Sequence, residues 1–142
     1  MLLVWAVSCD SHEERDDGTA NIYGAGFDTF RVDALPAELD LEVLLRLMLP
    51  ENEPGLLEVY VLGPDTQPLG DLQFTVDPDP GPMHRPGFMV SQTEVLSLVF
   101  IAETEGVYSV ELYVDHDPKR PHSPEHRHTL FFYVREGLPE AG

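Results

Sequence analysis

An internal disulfide is excluded at once, because the 142-residue chain carries a single cysteine, Cys9, and a bridge needs two. At the end of the apolar run "WAVSC" this thiol reads as a small buried hydrophobe and not as a nucleophile. One free cysteine fits a reducing compartment, so a cytoplasmic location is expected. Cations are scarce too: eight Lys and Arg stand against 26 Asp and Glu, and the net charge of −18 is spread along the chain. Such a surface repels phosphate backbones and anionic lipids, which argues against nucleic acid and membranes as partners. The acidic surplus reads as a solvated surface; a basic partner or a divalent cation is the sharper alternative. No apolar run approaches the roughly 18 residues that a membrane-spanning helix requires. The N-terminal "LLVWAVSC" faintly resembles a lipoprotein signal, but its apolar stretch is only about eight residues long and no Lys or Arg precedes it, so Leu2 to Ser8 is expected to be a strand.

Catalytic signatures are missing as well. There is no GxSxG, Walker A, HExxH, paired CxxC or Gly-rich dinucleotide fingerprint, and the order of Ser, His and Asp suggests no triad. "GAG" at 24–26 is followed by no helix that could hold a phosphate. An enzyme is not expected, and neither is a cofactor.

What the chain does have is a cadence of short apolar, β-branched and aromatic runs from "LLVWAVS" to "HTLFFYV", separated by Gly, Pro and acidic residues. That cadence predicts an all-β, antiparallel sandwich of about eight strands, Ig-like or jelly-roll in topology. Residues 1–142 read as one domain with a frayed tail over 136–142.

After the first strand, "CDSHEERDDG" reads as an exposed loop. "TANIYGAGFDTFRV" reads as one long strand that Gly24 and Gly26 allow to bend between two sheets. Pro36 argues against a helix in "DALPAELD". From Leu39 to Leu49 the apolar residues alternate strictly at Leu39, Leu41, Val43, Leu45, Leu47 and Leu49, with Asp40, Glu42 and Arg46 opposite. Leu and Glu would favour a helix, but the unbroken period of two and the closing Pro50 predict a strand. "LLEVYVLG" follows a tight turn and looks like a hairpin partner of that strand. "DLQFTVD" is the next strand, with Leu72, Phe74 and Val76 on one face.

The stretch Phe88 to Ala102 is apolar at nearly every position of its latter half, which predicts burial on both faces or a strand crossing between sheets. "VYSVELYVD" is the cleanest strand, with Tyr108, Val110, Leu112 and Val114 inward. Two long loops interrupt the pattern. One is "DPDPGPMHRPG", stiffened by four prolines; the other is "HDPKRPHSPEHR", which precedes the last strand.

The second loop holds the best metal candidates, His116, His122, His126 and His128 with Asp115 and Asp117, since imidazole and carboxylate suit zinc or similar ions. Their spacing matches no zinc motif. The pairs Asp77 with Asp79 and Asp115 with Asp117 stand at strand ends, where loop carboxylates can hold calcium, although turn chemistry accounts for them equally. No metal, catalytic or cofactor-binding residue is assigned on this basis. A metal-dependent sandwich, with calcium on the Asp pairs or cupin-like His ligation, stands as the second reading of the chain.

"DGTANIYGAGFDTF" resembles a family of small uncharacterised bacterial proteins known only as a domain of unknown function, through Asp10, Gly18, Asn21, Ile22, Gly24 and Asp28. Gly106, Tyr108 and Asp115 in "ETEGVYSVELYVD" resemble a later strand of that family. The resemblance implies a β-sandwich and no mechanism, and the two Pro-rich loops lie outside the matching segments. The expected function is therefore that of a non-catalytic binding or assembly module. It would meet a protein partner, or a second copy of itself, through exposed sheet edges and the Pro-rich loops.

Overall fold

In a strand with apolar residues at every second position, one face must be covered, and the longest such stripe in the chain organises the structure. The computed structural model describes residues 1–9, 11–16, 20–23, 29–114 and 127–137. Ten strands lie among them: β1 (Leu2–Cys9), β2 (Ser11–Glu14), β3 (Ala20–Tyr23), β4 (Thr29–Val32), β5 (Ala37–Leu49), β6 (Gly55–Leu62), β7 (Pro68–Val76), β8 (Val90–Ala102), β9 (Gly106–Val114) and β10 (Arg127–Glu136). No helix occurs among the described residues.

Eight of the strands form two sheets, β1-β5-β8 and β4-β10-β9-β6-β7, while β2 and β3 pair as a separate ribbon. The stripe Leu39, Leu41, Val43, Leu45, Leu47 and Leu49 on β5 is buried against Leu57, Val59 and Val61 of β6 and Tyr108, Val110, Leu112 and Val114 of β9. The two sheets therefore share one sandwich-like core. An aromatic cluster ties them together at one place: Phe100 of β8 lies 5.7 Å from Phe132 of β10 and 6.3 Å from Tyr108 of β9, and Phe30 of β4 meets Phe132 edge-on at 5.5 Å.

The structure departs from the sequence expectations in five places. The strands β5 and β6 are not a hairpin; they lie in opposite sheets. The alternation shows that each has a covered face, but β5 already pairs on both edges, with β1 and β8, so β6 can only face it. The hairpin is β6 with β7. Part of the "CDSHEERDDG" loop is strand β2, paired with β3. The long second strand is two strands, β3 in the ribbon and β4 in the five-stranded sheet, and Gly24 and Gly26 between them lie outside the described residues. The sandwich is not wholly antiparallel, because β4 runs parallel to β10. Finally, β8 is not buried on both faces. It runs antiparallel to β5 along its whole length, and Val99 and Ile101 on its outer face are 61% and 55% exposed. Their β-branched character reflects strand preference more than burial.

The corner between β8 and β9 is held by Tyr108, whose buried hydroxyl donates to the carbonyl of Thr104 four residues upstream. Beside it Gly106 has φ +146°, and a Cβ there would fall 2.7 Å from Pro64 Cγ in the β6–β7 turn. Tyr108→Phe, which leaves the Thr104 carbonyl without its donor, is expected to cost about 1 kcal/mol. Gly106→Ala adds backbone strain to a clash and is expected to cost more, about 2 kcal/mol. Urea unfolding of both variants checks the size and the order of the two losses.

Candidate functional site

Chain direction decides where the loops gather. The strands β7 and β9 run opposite to β6 and β10 in the larger sheet, and β5 opposite to β8 in the smaller. The short connections 50–54 and 103–105 between the sheets align β5 with β7 and β9, and β8 with β6 and β10. Every second connection therefore emerges at the same end of the sheets. The turn 50–54, the Pro-rich loop 77–89 and the anchors of the second Pro-rich loop, Val114 and Arg127, all lie at that end. So does the start of β1, where Met1 sits so close over Gly55 that no side chain would fit there.

Loop 77–89 is built from two successive turns. His84 N–H donates to the Gly81 carbonyl at 3.1 Å, and Phe88 N–H to the Arg85 carbonyl at 3.2 Å. Pro82 and Pro86 occupy the second position of each turn, where a fixed φ near −65° is already the required one. Gly87, with φ +89° in the third position of the second turn, gives that turn type II geometry.

Two side chains outside the loop pin it. The carboxylate of Glu51, in the turn after β5, accepts from Gly87 N–H and contacts His84 Nε2 at 3.2 Å, so one group brackets both turns. The amide of Gln92, buried on β8, accepts from Asp79 N–H at 2.8 Å and donates to the Asp77 carbonyl at 3.0 Å and to Glu94 Oε1 at 2.8 Å. A buried amide left unpaired would be costly; here both its oxygen and its nitrogen have partners. Pinned this way, the loop presents Met83, 88% exposed, and Phe88, 64% exposed, with Met89 and Leu2 also exposed at this end of the sheets. Large apolar side chains held at a fixed position in a short stretch of surface make this end the candidate contact surface.

The remaining sequence candidates fall as follows. Cys9 is buried, and its Sγ lies 3.9 Å from Glu42 Oε1. Asp77 and Asp79 are exposed, and it is their backbone that Gln92 holds. His128 is exposed on β10. Asp115, His116, Asp117, His122 and His126 lie outside the described residues, as do Asp10, Gly18, Gly24 and Asp28. Among the described residues no group of three or more His, Cys, Asp or Glu could hold a metal ion. Also among them, no helix is long and apolar enough to cross a membrane.

On the outer face of β6 and β9, Tyr60 and Tyr113 meet edge-on at 5.7 Å, and each donates to a neighbouring carboxylate, Glu58 and Glu111, at 2.9 Å. Burial and then the Glu58 hydrogen bond push the Tyr60 hydroxyl up to about 12. Burial and Glu111 raise Tyr113 as well. Both are phenols kept neutral at ordinary pH.

Sequence reasoning placed weight on the Pro-rich loop and missed both of its anchors. Glu51 and His84 are 33 residues apart, and no local spacing announces such a pair.

The Glu51 carboxyl is held below the usual value of 4.5, first by the His84 hydrogen bond and then by the Gly87 N–H. The folded state thus binds this proton less readily than the unfolded chain. The latch contributes fully above about pH 4.5 and is lost as the pH falls through the depressed folded value. Acidification and Glu51→Ala are both expected to lower the protection of the His84, Gly87 and Phe88 amides, taken against the intrinsic exchange rate at each pH, by roughly tenfold. Amides in the middle of β5 should be unaffected, and exchange measured by NMR across this range checks both.

No curated protein matches the chain. A family model, described as a family of unknown function (DUF6941), matches residues 4–122. The match runs through loop 77–89 and into the second Pro-rich loop, so these stretches are not outside the family's extent as the short motifs suggested. Over that span, which takes in most of β1 and all of β2 to β9, the chain belongs to the family of unknown function DUF6941.

Proposed function

We propose that this protein is an immunoglobulin-like sandwich acting as a non-catalytic protein-binding module in the cytoplasm, with the loop end of its sheets as the contact surface. The observation that carries the reading is the pinned loop: Glu51 and Gln92 hold 77–89 in one shape so that Met83 and Phe88 stand exposed at its tip. A rigid scaffold that presents apolar anchors on a fixed loop gives up little freedom on binding, which favours affinity.

The topology supports the comparison with immunoglobulin domains. The orders β1-β5-β8 and β7-β6-β9-β10 follow strands A-B-E and C′-C-F-G of that fold. Tyr108, at the start of the F-equivalent strand with its hydroxyl on an upstream carbonyl, stands where the fold keeps its tyrosine corner. In variable domains, loops at one end of such a sandwich are the ones that bind. The lone buried cysteine gives no inter-sheet disulfide, which fits a reducing compartment.

The reading is tested by placing a photo-crosslinking phenylalanine analogue at Met83, and separately at Thr66 in the β6–β7 turn at the opposite end, in cells that express the protein natively. Discrete adducts are expected at position 83 and not at 66, and they should disappear when Glu51→Ala frees the loop. An adduct of twice the chain's mass identifies the partner as a second copy. Equal labelling at both positions, or none at 83, rules the loop end out.

A further inference from the structure

A second surface lies away from the loop end, on the flank where the sheets part between β7 and β8. Each of these strands has a neighbour on one side only, β6 and β5 respectively, so each leaves one edge free among the described residues. Two adjoining cavities of about 210 and 520 Å³ run along this flank, and Val99 lines both. The floor is apolar, formed by Val59, Val61, Leu72 and Leu98 in the first cavity and by Leu69 and Phe100 in the second. The charged groups are all acidic: Asp71 in the first, Glu38 and Glu103 in the second, with no Lys or Arg in either. Along β8 the groove extends from Ser97 to Glu103, which at about 3.3 Å per residue gives a length of roughly 20 Å, that of an ordinary strand.

The geometry points to strand addition: this groove takes an extended segment of another protein, in which apolar residues alternate with Lys or Arg, onto the free edge of β8. Three features specify that occupant. The unpaired edge offers main-chain donors and acceptors at the spacing of a strand. The apolar floor between the sheets takes every second side chain, because successive side chains of a strand point to opposite faces. The acidic rim selects the sign of the others. A second copy is a poor occupant, since each copy brings a net charge of −18 to the contact.

The probe is a capped peptide of about eight residues alternating Val and Lys, long enough to span the groove. Its counterparts are a Val and Glu peptide and a Val and Lys peptide with central prolines, which cannot donate to a strand edge. Amide exchange by NMR is expected to slow within Ser97–Glu103 on adding the Val and Lys peptide, by roughly tenfold near saturation, and neither counterpart should do this. Gly70→Phe blocks the groove without disturbing the fold, because a Cβ at Gly70 meets nothing within 4 Å and the residue has no left-handed φ. That variant, and separately Glu38→Lys with Glu103→Lys, should weaken binding by at least about tenfold, with melting temperature kept and with loop-end crosslinking unchanged. The proposal fails if β8 exchange is not slowed, if the Val and Glu peptide binds equally, or if Gly70→Phe binds as well as the parent chain.

Discussion

The structure depends on one contact, the apolar stripe of β5 set against the stripes of β6 and β9. Each stripe comes from a strand whose side chains alternate faces, so a shift of one residue would turn leucines to solvent and carboxylates to the core. That constraint fixes register along both sheets at once. The strand β5 cannot slide without carrying β1 and β8, which pair with it along its two edges. Leu44, on the opposite face of β5, is also fully buried, so the central strand of the smaller sheet is held from both sides at its middle. Edge strands have no such hold. On β7, Leu72 is 37% exposed although it points to the inner side, and on β8 the outer Val99 and Ile101 meet solvent.

Fixed register and alternating direction together produce the loop end. With turns and loops joining strands of opposite direction, two connections separated by two strands must emerge together, which is why the loops after β7 and β9 share an end. What direction cannot provide is rigidity. That comes from polar anchoring: one carboxylate across two turns, and one buried amide with its oxygen and nitrogen both bonded. The two anchors differ in kind. Gln92 is buried and neutral, and the bonds by which it holds the loop go to the Asp77 carbonyl and the Asp79 N–H, which do not titrate, whereas Glu51 is a surface carboxylate whose hold depends on its charge. The root of the loop is thus permanent, while its tip is fastened by a group that acid releases.

Much of the fold was legible in residues taken singly. The six alternating apolar positions of β5 predicted their own burial, and Tyr108, Val110, Leu112 and Val114 theirs. The run Arg-Pro-Gly-Phe at 85–88 states its turn type, because only a residue at ease with positive φ suits the place of Gly87. Partnership was not legible. Alternation on Leu39 to Leu49 and on Leu57 to Val61 says that both strands cover a core, and it is silent on whether they lie side by side or face to face. The apolar run at Val95 to Ile101 misled for a related reason: β-branched residues serve strand geometry as well as burial, so a continuous run overstates how much is covered. The parallel pairing of β4 with β10 joins residues about a hundred positions apart, and no local pattern encodes it. The candidate site divides along the same line, with its turns written in Pro and Gly and its anchors, Glu51 and Gln92, invisible among ordinary polar residues.

The acidic surplus connects the two surfaces. A free strand edge is an open template, and proteins that keep one must deter pairing with their own copies. Here Asp71, Glu38 and Glu103 line the groove, and Asp40 stands opposite Val99 in the β5–β8 ladder. Two copies meeting edge to edge would bring these carboxylates together on a chain that is already strongly anionic, and the repulsion would act before any hydrogen bond formed. The same charges leave a cationic strand free to approach. Under the proposed strand addition, edge protection and partner selection become one property, set by the sign of the rim, whereas the proposed contact at the loop end, with Met83 and Phe88 exposed at its tip, rests on shape and apolar area. Contact at the groove should therefore weaken with added salt, as exposed charge interactions do, while contact at the loop end should be nearly indifferent to it.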